Sequence, residues 1–226
     1  MKNSYCVIDF ETTGFSPELG DRITEVAAVK IKDGKVTDQF ESLVKTNQYI
    51  PDAVSNLNGI TKNMLDSAPS SQLVMTRLVK FIGKTSTLVA HNAPFDKRFF
   101  NNELEVSGIS EHRNFICTLL LSRRLYQYCT DHKLTTIAKF HGIDFDGSSH
   151  RAMPDTMVTA KLFINILHDL EVHNMLNEES DEITPMEIML KQRVPAYKFS
   201  HTARKIYNSQ DNKRKHIINR PLITSN

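Results

Sequence analysis

The chain opens on strand-like patterning. Residues 4–10 (Ser-Tyr-Cys-Val-Ile-Asp-Phe) are crowded with β-branched and aromatic side chains, and residues 25–31 (Glu-Val-Ala-Ala-Val-Lys-Ile) repeat the signal. Asp33-Gly34 is a residue pair favoured in tight hairpin turns and leads into a third run, 35–44. Together these predict an antiparallel meander of three strands. The pattern then changes period. Residues 54–65 predict loop with a short helix. Ser70-Ser71-Gln72 can cap a helix that runs to Ile82, with Leu73, Val74, Leu78 and Phe81 near helical spacing. Residues 87–90 (Thr-Leu-Val-Ala) read as a short buried strand, and Pro94 suits the first turn of a helix reaching residue 105. Residues 115–117 predict a last strand, followed by helices over 119–126 and 134–140. A final helix starts near Pro154, with Met157, Ala160, Ile164, Leu167 and Leu170 as its apolar stripe. Strands first, with helices between and after them, predict an α/β fold with a mixed sheet flanked by helices.

Composition narrows the class. A chain of 226 residues with 40% hydrophobic and 24% charged residues has an ordinary globular profile, long enough for one well-filled core. No apolar run approaches a membrane span and the opening residues show no signal-peptide core, so a soluble, cytoplasmic protein without a membrane partner is expected. Three scattered cysteines (Cys6, Cys117, Cys129) form no metal or redox motif and read as reduced thiols, Cys6 as a packing residue.

Charge is distributed unevenly. Residues 191–220 carry nine Lys or Arg and one acid, Asp211, a local +8 within a total of +2; the remainder therefore sums to −6. An acidic body binds a polyanion only through local basic contacts or metal ions. A boundary is expected after residue 176, at the acidic stretch 177–182, dividing the chain into 1–176 and a basic extension, 177–226. With Tyr197, Phe199 and Tyr207 among its basic residues, that extension reads either as a nucleic-acid or partner contact or as a solvated basic helix with buried aromatics.

Three acidic motifs carry the chemistry. Asp9 and Glu11 stand two apart at the end of a strand, so both carboxylates point the same way. Held side by side they repel unless a cation lies between them, and oxygen donors without Cys or His favour Mg²⁺ or Mn²⁺. His91-Asn92-Ala93-Pro94-Phe95-Asp96 follows the short buried strand and puts Asp96 in the first turn of a helix. His150-Arg151-Ala152-Met153-Pro154-Asp155 does the same for Asp155, with His150 on the preceding loop. Each motif alone is also what a capped helix start or a solvated strand end produces. Their joint occurrence at strand ends and helix starts, where sheet-based sites are built, is harder to ascribe to chance.

Those motifs, with Asp9-Phe-Glu-Thr-Thr-Gly14, resemble the three signatures of the DEDDh (DnaQ-like) 3′–5′ exonucleases, over roughly residues 4–170. The resemblance implies a ribonuclease H-like fold with a five-stranded mixed sheet, and two divalent ions held by Asp9, Glu11, Asp96 and Asp155. Asp9 would bridge the ions, Glu11 and Asp155 would hold the nucleophile-side ion, and Asp96 would serve the leaving-group side. His150 would be the general base. The backbone around Thr12, Thr13 and Gly14 would meet the terminal nucleotide, with Phe95 and Leu57 pressing on its base. Asn58-Gly59-Ile60-Thr61 departs from the family's His-Gly-Ile-Thr at its first residue, so with Asn58 in the substrate pocket base unstacking is expected to be weaker or carried by Leu57 alone. The implied substrate is the 3′ end of DNA, in proofreading or repair and with a polymerase subunit as partner. RNA trimming on the same fold and a catalytically idle polymerase-binding subunit are the alternatives. His91 reads as a structural hydrogen-bonder outside the metal site.

Overall fold

The computed structural model describes residues 4–84, 87–144, 150–173 and 184–210, with the helical backbone continuing to 218. Strands β1 (Ser4–Thr12), β2 (Ile23–Lys32) and β3 (Lys35–Leu43) form the expected meander. Asp33 and Gly34 adopt φ of 51° and 72°, a doubly left-handed turn whose twist matches the flanking strands. Two short helices follow, α1 (Asp52–Asn58) and α2 (Lys62–Asp66). Helix α3 (Ser71–Ile82) starts at Ser70, whose hydroxyl accepts from the Leu73 N–H at 3.4 Å. Then come β4 (Thr87–Ala90), α4 (Ala93–Val106), β5 (Phe115–Cys117), α5 (Thr118–Leu125), α6 (Leu134–Phe140), α7 (Ala152–Val172), α8 (Pro185–Lys191) and α9 (Ser200–Ile218).

The sheet order is β3-β2-β1-β4-β5. The meander is antiparallel, and β4 and β5 run parallel to β1. This is the five-stranded mixed sheet of a ribonuclease H-like fold. Helix α7 begins two residues before Pro154, at Ala152. Proline costs nothing there, because N–H groups of the first turn have no helical partner.

The strand period sorts the core into two layers. Tyr5 and Val7 of β1, with Val29 and Ile31 of β2, pack under α7. Cys6, Ile8 and Phe10, with Val26 and Ala28, pack against residues of α3 and α4 on the other face. Helix α7 lies across β1 and β2 and is itself covered by α5 and α6, so it is buried well beyond one stripe. Leu162, Phe163 and Ile166 join Ala160, Leu167 and Leu170 in the core, while Met157 and Ile164 are only partly buried.

The predicted division at 176/177 falls in residues 174–183, outside the described ones. Beyond it the chain returns to the core: Ile188, Phe199 and Ile206 are buried against the cluster that contains Leu121 and Leu125 of α5. Gln192 caps the open edge of the sheet. Its Oε1 accepts from the Cys117 N–H at 2.7 Å, and its Nε2 donates to the Phe115 carbonyl at 3.3 Å. Of the three aromatics in the extension, Phe199 is buried, while Tyr197 and Tyr207 are exposed, Tyr207 against Tyr128 at 4.9 Å. Cys6 and Cys117 are free and buried, and burial pushes the Cys6 thiol up to about 12, which fits an inert packing residue. Among the described residues no helix is long and apolar enough to cross a membrane.

Candidate active site

Asp9 and Glu11 continue the odd-numbered face of β1 past Tyr5 and Val7. They emerge at the strand's C-terminal end, on the side where α7 begins. Asp155 sits in the first turn of α7. Asp9, Glu11 and Asp155 each place a carboxylate oxygen within 4.8 Å of the others. Asp155 Oδ2 accepts from the His150 N–H at 3.2 Å, while its Oδ1 is buried with no hydrogen-bond partner. Asp96, in the first turn of α4, lies outside this trio but close enough for its charge to act on Asp9. It is 2% exposed, and the nearby backbone of Asp96 and Phe10 favours its charged form against the larger effect of burial.

All four carboxyls are pushed above the ordinary carboxylate range, with burial the largest cause in each. Asp9 is raised further by Asp96, Glu11, Asp155 and Glu25. Glu11 is raised further by Asp155 and Glu25, against the lowering effect of a hydrogen bond from Asn58. Like charges brought together out of water favour either protonation or a cation between them. An oxygen-only trio with an orphaned, buried Oδ1 fits a hard divalent ion.

His150 stands on the loop immediately before α7, exposed, in the left-handed region at φ 68°. His91 is placed elsewhere. Its Nε2 faces the His132 carbonyl at 3.0 Å and its Nδ1 the Thr118 hydroxyl at 2.9 Å. A carbonyl can only accept, so Nε2 carries the proton and the ring is the structural hydrogen-bonder expected.

The turn after β1 is folded inward. Thr12 Oγ1 donates to the Gly14 carbonyl at 2.6 Å, and Thr13 Oγ1 donates to Asp21 at 3.3 Å while accepting from the Arg22 N–H at 3.0 Å. Asp21 also accepts from the Ser16 N–H at 2.9 Å. A Cβ on Gly14 would meet the Asp21 carboxylate at 2.4–2.6 Å, so a larger residue there would have to displace that carboxylate from the turn. The threonine side chains are thus occupied, and the turn offers its backbone and the exposed Phe15.

Leu57 is 55% exposed at the end of α1, whereas its neighbour Asn58 is 4% exposed. Asn58 Nδ2 donates to Glu11 Oε2 at 3.0 Å and its Oδ1 accepts from the Ile60 N–H at 3.0 Å. Phe95 is half-buried against Phe99, ring centroids 4.9 Å apart. Asn92 occupies the cap position of α4 in a left-handed conformation but makes no capping hydrogen bond with its side chain.

Two ion pairs on buried glutamates escaped sequence reasoning. Glu25, 1% exposed on β2, takes the Arg151 guanidinium on both oxygens and accepts from the Ala152 N–H at 3.0 Å. Glu103, 1% exposed on α4, takes Arg22 in the same two-pronged way at 2.7 and 2.8 Å and accepts from Ser71. The one local sign of the first pair is an acid directly before the apolar run Val26–Val29 of β2.

Residues 6–163 match a family model described as Exonuclease. The match covers more than half of the chain and contains every acid of the cluster. This chain belongs to the DEDDh exonuclease family. Its residues 6–163 form an exonuclease domain of that family. It is 34% identical over 199 residues to a DNA polymerase III PolC-type of Caldanaerobacter subterraneus subsp. tengcongensis, covering 87% of the chain but 14% of that relative. A PolC-type relative from Staphylococcus saprophyticus is 39% identical over 175 residues, covering 76% of the chain and 12% of the relative. The chain thus spans only a small part of these polymerases. Among solved structures, exonuclease X in complex with 5′ overhanging duplex DNA is 28% identical with a TM-score of 0.60, covering 73% of this chain and 91% of that one. The nuclease domain of 3′hExo bound to rAMP is 23% identical with a TM-score of 0.65, covering 74% and 93%, a likeness of fold.

Proposed function

We propose that this exonuclease removes nucleotides singly from the 3′ end of DNA, releasing nucleoside 5′-monophosphates. One observation carries the reading: Asp9, Glu11 and Asp155 converge within 4.8 Å, with Asp155 Oδ1 buried and unpartnered. These three carboxylates, with Asp96 beside Asp9, would hold a pair of Mg²⁺ or Mn²⁺ ions. Bound there, such ions stabilise negative charge on the attacking and departing oxygens of an in-line displacement.

The remaining work falls to the chain's own groups. His150, exposed on its loop, takes a proton from the attacking water at an imidazole nitrogen. The backbone of the 12–14 turn holds the terminal nucleotide. Leu57 and Phe95 present apolar surface to its base, a contact that tolerates every base. Asn58 acts from below by holding Glu11. The likeness to exonuclease X on DNA and to PolC-type polymerases supports DNA as substrate, a replication polymerase as partner and the cytoplasm as the place of action.

The test is a matched pair of 3′-labelled DNA and RNA oligonucleotides of one sequence, with Mg²⁺ or Mn²⁺ and a chelator control. Chelator-sensitive mononucleotide release, faster from DNA, is expected. Faster release from RNA would make the chain an exoribonuclease. Release from neither would leave it a polymerase-binding subunit without activity.

A further inference from the structure

Glu25 lies directly opposite Glu11 in the β1–β2 register. Two carboxylates facing each other across a sheet destabilise it unless one is neutralised. Arg151 supplies that neutralisation from the start of α7: its Nε lies 3.0 and 3.2 Å from the two Glu25 oxygens and its Nη2 closes the fork. Glu25 Oε2 also accepts from the Ala152 N–H at 3.0 Å, satisfying one of the free donors of the first turn. The pair thus fixes both where α7 starts and how it is turned.

The residues on either side of Arg151 are those that the proposed reaction needs. His150 precedes it. Asp155 follows by one helical turn, and its N–H donates to the Arg151 carbonyl at 3.2 Å, the opening bond of α7. The His150 N–H returns to Asp155 Oδ2 at 3.2 Å. Arg151 therefore belongs to the ring of bonds that aims the third carboxylate and the histidine, while Glu25 ties that ring to the strand beside β1, which carries the first two. A guanidinium held on two prongs transmits orientation as well as charge.

We propose that Glu25 and Arg151 are positioning residues: their pair docks the start of α7 on β2 and so aims Asp155 and His150 at Asp9 and Glu11. The idea rests on the reading of the acidic cluster as a metal site. Groups that orient ligands without touching the ion typically contribute 10–100-fold in metal affinity or rate. The Arg22–Glu103 pair is a matched control, equally buried and two-pronged but placed between α4 and the segment before β2.

The experiment measures Mn²⁺ binding to the full chain without nucleic acid, by electron paramagnetic resonance, beside thermal midpoints and steady-state kinetics on a 3′-labelled oligonucleotide. Glu25→Gln and Arg151→Lys are expected to weaken Mn²⁺ binding by about 10–100-fold and lower kcat by a similar factor. KM should stay within about twofold, since the nucleotide contacts lie elsewhere. Glu103→Gln should lower the thermal midpoint but keep wild-type Mn²⁺ affinity. Wild-type Mn²⁺ affinity and kcat in a folded Glu25→Gln, or in Arg151→Lys if Glu25→Gln does not fold, would overturn the proposal. So would an equal loss of affinity in Glu103→Gln, which would make the effect one of general destabilisation. Failure of the wild type to bind Mn²⁺ would instead refute the metal-site reading itself.

Discussion

At the scale of single residues, His150 and Asn58 show how position separates roles. His150 is exposed on a strained backbone at the mouth of the acidic cluster, the place for a group that exchanges protons with a bound water. His150→Ala is expected to lower kcat by about 10²–10⁴, the usual worth of a general base, with the thermal midpoint unchanged. A loss below tenfold in single-turnover cleavage would remove it from that role. Asn58 was expected from its sequence neighbours to face the base. In the structure it is buried and bonded to Glu11, and its Oδ1 closes the α1 turn through Ile60. Asn58→Ala should cost about 1–3 kcal/mol, because the Ile60 N–H is left without its acceptor. It should also raise the Mn²⁺ concentration that half-activates cleavage, since Glu11 loses its only tether among the described side chains. Unchanged metal activation in a folded variant would argue that Glu11 needs no such support.

At the scale of elements, the parts legible in the sequence were those written in local periods. The alternation of β1 puts Asp9 and Glu11 on one face, and the same alternation carries Tyr5 and Val7 into the core beneath α7. The Asp33-Gly34 turn, the Ser70 cap and the helix starts before Asp96 and Asp155 were equally local signals. What stayed hidden was set by partners far along the chain. Glu25 meets Arg151 across 126 positions and Gln192 meets Cys117 across 75, distances over which no period operates. Strand order was hidden for the same reason and entered only through resemblance. Gln192 shows the energetic weight of such a contact: its amide satisfies two backbone groups on the edge strand β5. Gln192→Ala should destabilise by about 2–4 kcal/mol, two lost hydrogen bonds with buried groups left bare, while kcat of the folded protein holds. Chemical denaturation with an unchanged m-value would read this. A destabilisation below about 0.5 kcal/mol would show that water replaces the amide.

At the scale of the whole molecule, two sets of ionisable groups pull stability in opposite directions with pH. The four acids of the cluster have folded-state pKa values above their unfolded ones. Their contribution is present below the ordinary carboxylate range and is lost as pH rises through the raised values, because the folded chain must then hold crowded charges. His91 is lowered to about 4, chiefly by burial. Its contribution is present above about 6.5 and is lost as pH falls toward about 4, where the buried ring must take a proton. A divalent cation separates the two, since it relieves only the acids. At neutral pH, saturating Mg²⁺ or Mn²⁺ at about a hundredfold over Kd should add about 2.7 kcal/mol, or about 5–10 °C in Tm for a chain of this size. The gain should shrink toward pH 5, as protons compete for the same oxygens. Asp9→Asn should behave in the opposite way. Without metal at neutral pH it should melt above the wild type, because one of the crowded charges is gone, and it should lose most of the response to metal along with cleavage. That signature marks a site whose charges are tolerated for the ion they bind rather than for the fold. A wild-type Tm indifferent to Mg²⁺, Mn²⁺ and chelator at neutral pH would show that the acids balance one another without help, and the catalytic reading of the cluster would go with it.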